Sequence, residues 1–250
     1  IILDNNCLTS FKNSLFSNNP FLMDLKVGQN LIESLDEHIW TRSLRSLKVL
    51  NLDQNRIKHL KHAYFKQAYS LLSLYVGSNL IEQIDNETFS DCKSLYGLIL
   101  ADNRLKKVTS KQFSGLKSLN NLDLGVNQIE SIEDESFIDF NLLNLLQLCS
   151  NRLRIITENT FKGLERLEFL LLARNKIEFI DNKAFSWLKR LIYLDLSFNN
   201  IKYVSSIESY TNFARSMFVD INKNPIEYLE KGSIDSMITI EGFVIKINYL

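Results

Sequence analysis

The stretch from Leu167 to Phe185 reads LEFLLLARNKIEFIDNKAF, and its skeleton, LxxLxLxxNxIxxIxxxxF, is carried by Leu167, Leu170, Leu172, Asn175, Ile177, Ile180 and Phe185. The same skeleton recurs along almost the whole chain. Aligned on the asparagine it gives Asn6, Asn30, Asn55, Asn79, Asn103, Asn127, Asn151, Asn175, Asn199, Asn224 and Asn248, a 24-residue spacing broken only by single insertions before Asn55 and Asn224. Eleven registers exclude coincidence and make the repeated unit the object to explain.

Each position of the unit has a physical task. The leucines five and three before the asparagine, such as Leu50 and Leu52 or Leu194 and Leu196, alternate as a short strand does and send one face inward. The asparagine amide carries donors and an acceptor, so it can satisfy backbone groups where the chain leaves the strand. Ten residues on comes a bulky wedge: Phe16, Trp40, Phe65, Phe89, Phe113, Phe137, Phe161 and Phe185. One such turn cannot bury its own apolar face, whereas stacked turns can.

This pattern resembles the leucine-rich repeat family, in particular the 24-residue, phenylalanine-bearing class found in extracellular and cell-surface proteins. The resemblance covers essentially all 250 residues and implies an α/β solenoid of horseshoe shape. Its parallel sheet would line the concave side with one short strand per repeat, and loops or short helical turns would form the convex side. A 24-residue unit leaves little room for a full helix after the strand, which agrees. Residues 1–250 are expected to form one array without cysteine caps. Between Asn199 and Asn224 the wedge shifts to Tyr210 and Phe213, and Asn224-Pro225 resembles the start of a cysteine-rich cap whose cysteines are missing. Ile240, Phe243, Ile245 and Asn248 instead begin another turn. Both ends stop in mid-repeat, so the chain is expected to be an excerpt of a longer array.

A second pattern lies inside the first. The residue three after the asparagine reads Glu33, Lys58, Glu82, Lys106, Glu130, Arg154, Glu178, Lys202, Glu227. On turns about 5 Å apart, alternating charges attract by about 0.2–1 kcal/mol per neighbouring pair. Position six is acidic only in the Glu-bearing turns (Asp36, Asp85, Glu133, Asp181, Glu230), so the sequence unit is a pair of repeats that disfavours slippage by one turn.

Several kinds of chemistry are absent from the sequence. Lys plus Arg equals Asp plus Glu at 29 each, so no global field draws in nucleic acid or an acidic membrane. No apolar run is long enough to span a bilayer, and no direct membrane contact is expected. Cys7, Cys92 and Cys149 are too scattered for a disulfide framework or a zinc site, and Cys92 reads as a small buried hydrophobe. His38, His59 and His62 fall after the asparagines and read as surface histidines with no ligating partner at metal spacing. There is no GxSxG, phosphate-cradling loop, HExxH, or nucleophile with a base. The expectation is a chain with no catalytic residue, metal or cofactor.

What remains is a surface. Residues six, four and two before each asparagine point away from the core. The column at six ends in Leu145, Phe169, Tyr193 and Phe218; the column at four contains Tyr75, Ile99, Leu171, Asp195 and Asp220. The column at two is mostly small (Gly77, Ala101, Gly125, Cys149, Ala173, Ser197) and would let a ligand approach the sheet. Exposed apolar patches rimmed by charge mark protein contacts, and two neighbouring carboxylates favour a cationic group opposite them. A single Ca²⁺ there would be under-liganded.

The expected function is a non-enzymatic protein-binding module. The resemblance makes it part of the ectodomain of a cell-surface receptor or adhesion protein that meets a protein ligand or co-receptor on its concave face. Intramolecular or homotypic cover of the strip, including a homodimer, is the plainer account of the same residues. An intracellular scaffold, which the unpaired cysteines permit, and a secreted leucine-rich protein with homotypic association are the rival readings. Asn86-Glu87-Thr88 is the one N-x-[ST] sequon and makes Asn86 a candidate glycosylation site.

Overall fold

In a computed structural model, residues 1–10, 12–16, 18–37, 44–204, 218–230 and 244–246 are described. Trp40, His38, Tyr210, Phe213, Ile240, Phe243 and Asn248, named above, lie outside them. Ten three-residue strands form one parallel sheet in sequence order: Asp24–Lys26, Val49–Asn51, Ser73–Tyr75, Gly97–Ile99, Asn121–Asp123, Leu145–Gln147, Phe169–Leu171, Tyr193–Asp195, Phe218–Asp220 and Val244–Lys246. Equivalent residues of successive turns are direct partners, as in Leu145↔Phe169 and Phe169↔Tyr193. The chain is therefore a solenoid with one short strand per repeat. Beyond the sheet the described turns carry brief 3-10 segments such as His62–Phe65 and Ser110–Gln112 in place of full helices.

The central residue of each strand is buried from Leu25 through Val219, and the aliphatic residue two further on, leucine except for Val27, Val76 and Ile221, closes the same core. Asparagines 30 to 199 of the register are 5% to 7% exposed, so their amides need partners inside the protein. Asn103 is representative. Its Nδ2 lies 3.0 Å from Leu100 O, 3.3 Å from Ala101 O and 3.0 Å from Val76 O of the preceding turn, while its Oδ1 accepts Ile81 N–H at 2.9 Å. One side chain thus fixes its own turn and ties it to the turn before. Behind the asparagines the wedge rings are buried, with centroids 5.4 Å apart for Phe65 and Phe89 and 6.1 Å for Phe89 and Phe113. Phe140, in the register position of Leu116 and Leu164, adds a ring that meets Phe113 edge-on and leans on Phe137.

On the flank after the asparagine, two-residue strands pair in twos: His59–Leu60 with Gln83–Ile84, Lys107–Val108 with Ser131–Ile132, Ile155–Ile156 with Phe179–Ile180, and Tyr203–Val204 with Tyr228–Leu229. Each pair joins a turn with a basic residue at position three to the following Glu-bearing turn, so the two-repeat unit is present in the backbone itself. The side-chain ladder follows the expected scheme only in part. Arg154–Glu178 at 2.9 Å and Lys202–Glu227 at 2.8 Å are neighbour pairs of the row. Glu82 and Glu130 turn instead to Arg104 at 3.3 Å and Arg152 at 3.4 Å, one residue after the next asparagine. All of these side chains are about half exposed or more, so a long flexible glutamate takes whichever cation it reaches, and solvent screening leaves each pair little net effect on stability.

In three turns the acid at position six has a steadier partner, the side chain at position four of the turn before, whereas Asp181 has Ile155 there and its Oδ1 accepts Lys183 N–H at 2.8 Å. Asp85 meets His59 Nε2 at 2.7 Å, Glu133 meets Lys107, and the Tyr203 hydroxyl is bonded to Glu230. The acidic partner of His59 thus lies one turn away in space and 26 residues on in sequence. His62 also lies 2.8 Å from Glu87 O through Nδ1. Burial pushes the Asp85 carboxyl up, but the His59 bond, the His62 N–H at 3.3 Å and the Gln83 amide outweigh it and hold Asp85 below the ordinary carboxylate range. A depressed acid contributes stability above its unfolded value and loses it as pH falls through its folded one. Asp85→Asn should therefore melt about 1–3 °C below the parent at pH 7 and converge on it as pH falls through the lowered folded range of Asp85 in paired thermal melts. Cys92 is fully buried where other turns carry leucine, and burial raises its thiol to about 12, so it is an inert hydrophobe.

Candidate protein-binding face

The strand alternation leaves the first and third residue of each strand on the outer, concave surface. Leu145, Phe169, Tyr193 and Phe218 occupy first positions on four adjacent strands, and Leu171, Asp195 and Asp220 occupy third positions beside them. Phe169 is 36% exposed and the others are half-buried. Tyr193 and Phe218 stack with centroids 5.4 Å apart and planes inclined by 3°. Tyr75, also 36% exposed, and Ile99 are partners on adjacent strands. The strand Asn121–Asp123 separates them from the Leu145 group, so the candidate residues form two patches along one face.

The carboxylates beside the aromatic strip are held in place. Asp195 Oδ1 accepts Ser197 N–H at 2.9 Å and the Ser197 hydroxyl at 2.7 Å, and Asp220 Oδ1 accepts Asn222 N–H at 2.9 Å. Their Oδ2 atoms accept no bond among the described residues. Asp123, four turns' width from the far end of this row, accepts Gly125 N–H at Oδ1 at 2.8 Å; burial raises its pKa, against the lowering effect of that bond. Tyr193 is raised by burial first, and then by the fields of Asp195 and Asp220. The result is a flat aromatic stack edged by carboxylates that face outward, a surface matched to an apolar segment carrying a cation.

In the column of small residues Gly77, Gly125, Ala173 and Ser197 are buried, and Ala101 and Cys149 are half-buried. A Cβ on Gly77 would stand 3.2 Å from Ala101 O of the next turn and 3.2 Å from Asp53 Oδ1. Larger side chains occupy the same column at Asp4, Asp53 and Asn222, so the column does not require a small residue at every turn.

Several exposed residues went unread in the sequence. The column just before the asparagine adopts positive φ, 48° to 59°, in all ten described turns from Asn5 to Lys223, with no glycine among them. The asparagine bonds on either side impose that conformation, which is costly for a β-branched residue such as Val126. Val126 and Phe198 are 53% and 44% exposed, and the Arg174 guanidinium lies 4.3 Å over the Phe198 ring. Phe198 extends the aromatic surface at its rim. Reading this column as the others were read would have found it. Asn86 is exposed, whereas Thr88 of the sequon is buried with its hydroxyl 2.8 Å from Asp85 O.

Among solved structures, the chain is similar to one from the Drosophila Toll–Spätzle complex, "a molecular hub in Drosophila development and innate immunity", at TM-score 0.83 and 24% identity over 92% of this chain and 32% of that one. A leucine-rich repeat protein of Leptospira interrogans superposes at TM-score 0.69 and 20% identity, over 97% of this chain and 65% of that one. The chain thus spans about one third of the Toll-complex relative and under two thirds of the Leptospira one. These likenesses are of fold. No curated protein matches the sequence. The model of the BspA type leucine rich repeat region matches residues 58–192 in six copies. With more than half of its length matched, the chain belongs to the BspA-type leucine-rich repeat family, a repeat domain of the protein-interaction kind.

Proposed function

We propose that this domain is part of the ectodomain of a cell-surface receptor or adhesion protein, and that it recognises a protein ligand through its concave face. The observation carrying this reading is the uncovered strip of Leu145, Phe169, Leu171, Tyr193 and Phe218 with the outward carboxylates of Asp195 and Asp220. Burying the stacked rings supplies affinity, and the carboxylates select a ligand with Lys or Arg beside its apolar anchor. Tyr75 and Ile99 form a second, smaller contact on the same face. The likeness to a chain of the Toll–Spätzle complex supports the extracellular placement.

A random-peptide display library, selected on the immobilised domain, should yield segments rich in aromatic or aliphatic residues with Lys or Arg. Their affinity should fall at least about tenfold on Phe169→Ala/Tyr193→Ala, with a melting temperature within a few degrees of the parent. Peptides that bind parent and double variant equally would move the site off this face.

The three free cysteines favour a second reading, an intracellular scaffold using the same face. Antibody staining of intact cells separates the two: signal without permeabilisation supports the receptor, and signal only after it supports the scaffold.

A further inference from the structure

The geometry points to a second interaction surface, on the flank of the solenoid, through which two copies of this chain pair side by side and antiparallel. The first observation is a change of character along position four after the asparagine. In the earlier turns that column is Ser10, Ser34, His59, Gln83, Lys107 and Ser131. From the sixth strand-bearing turn it becomes Ile155, Phe179, Tyr203 and Tyr228, which are 60%, 57%, 53% and 55% exposed. These are among the most exposed large apolar residues of the domain, and they form one row: Ile155 pairs with Phe179, Tyr203 pairs with Tyr228, and the two tyrosine rings stack at 5.2 Å. Single exposed apolar side chains need no explanation, but four aligned on adjacent turns do.

The second observation identifies the occupant. Beside this row, one residue earlier in each turn, runs Arg154, Glu178, Lys202, Glu227, all exposed, with Arg154–Glu178 and Lys202–Glu227 ion-paired. A row of four alternating charges is complementary to itself when reversed. A two-fold axis lying across the rows, midway between the Glu178 and Lys202 turns, sets Arg154 opposite Glu227 of a second copy and Glu178 opposite its Lys202. The same axis lays the apolar row on its own reverse, Ile155 against Tyr228 and Phe179 against Tyr203. Moving the axis by half a turn sets like charges opposite each other, and a parallel arrangement sets each residue opposite itself. Only this register satisfies both rows, and the axis falls between two of the paired-strand units described above. An isologous contact of this kind closes as a dimer. It leaves the concave face free and does not depend on what that face binds.

The contact spans four turns, a small interface, so micromolar dissociation is expected. Sedimentation velocity on the intact chain should show a monomer–dimer equilibrium at about 10–100 µM. Phe179→Glu/Tyr203→Glu should hold it monomeric over that range with an unchanged far-ultraviolet spectrum. Glu178→Lys alone and Lys202→Glu alone should each weaken the dimer at least about tenfold, and the combined reversal should restore it to within about threefold of the parent. Phe169→Ala/Tyr193→Ala should leave it unchanged. A parent that stays monomeric at about 100 µM, a dimer that survives Phe179→Glu/Tyr203→Glu, or a double reversal no better than the singles would each overturn the proposal.

Discussion

Asn127→Ala should lower the free energy of unfolding by about 3–5 kcal/mol, a loss at the top of the range for one residue. Asn127 is 7% exposed. Its Nδ2 lies 3.0 Å from Leu100 O, 3.1 Å from Leu124 O and 3.2 Å from Gly125 O, and its Oδ1 accepts Leu105 N–H at 3.0 Å. Leu105 N–H has no other acceptor among the described residues, and Leu105 is itself buried. Truncation leaves that donor dry and unpaired, at about 1–3 kcal/mol, and opens a cavity, while Leu100 O, Leu124 O and Gly125 O each lose one bond and keep another, from Asn103 Nδ2, Asn151 Nδ2 and Asp102 N–H. Asn127→Asp should be no milder, because it keeps the acceptor but turns an anionic oxygen toward three carbonyls. Asn200→Ala, an exposed asparagine one place beyond the register, should stay within about 0.5 kcal/mol of the parent. Urea titrations of the three variants check the series, and a loss under about 1 kcal/mol at Asn127 would mean that the asparagine row is not what joins the turns.

Such a series tests the part of the structure that was most legible in the sequence. Strand, asparagine and wedge positions could be read because every turn poses the same packing problem and the chain solves it with the same residue types. The outward columns were legible for the related reason that a strand alternates, so Phe169 and Tyr193 had to be neighbours once the period was known. The two-repeat unit was legible as a charge pattern, yet its physical basis, flank strands pairing in twos, has no counterpart in residue type. Partner choice among half-exposed side chains was not legible: Glu130 reaches Arg152, not Lys106 or Arg154, because long side chains choose by reach. The closeness of the next turn's backbone to Gly77, 3.2 Å from where its Cβ would be, was not legible, since it depends on how the turns stack. The flank row from Ile155 to Tyr228 was present in the sequence at a fixed register but went unread, since the first six members of its column, Ser10 to Ser131, are polar and give the column no consistent character.

The conformational demands of the turns lead to the second large effect, Gly163→Ala, expected to cost about 3–4 kcal/mol. Gly163 has φ of +97°, two residues after the wedge Phe161, and a Cβ there would fall 2.7 Å from Ile138 Cα and 2.8 Å from Phe137 O of the preceding turn. Neither atom can swing aside, because both are backbone. Gly115 holds the same place after Phe113, with φ of +91°, but its Cβ would meet Ser90 Cα at 3.0 Å and Ser90 O at 3.2 Å. Gln67, two after Phe65, lives at φ of 69°, so a side chain can hold the left-handed backbone at this position. The left-handed conformation therefore costs about 1–2 kcal/mol and is common to both glycines. Separation from the turn before is what distinguishes them, so Gly115→Ala should cost only about 1–2 kcal/mol. Equal losses at the two sites in urea unfolding would assign the whole effect to φ. A larger loss at Gly163 would show that the spacing between successive turns is fixed there by backbone contact, with no slack for a single methyl group.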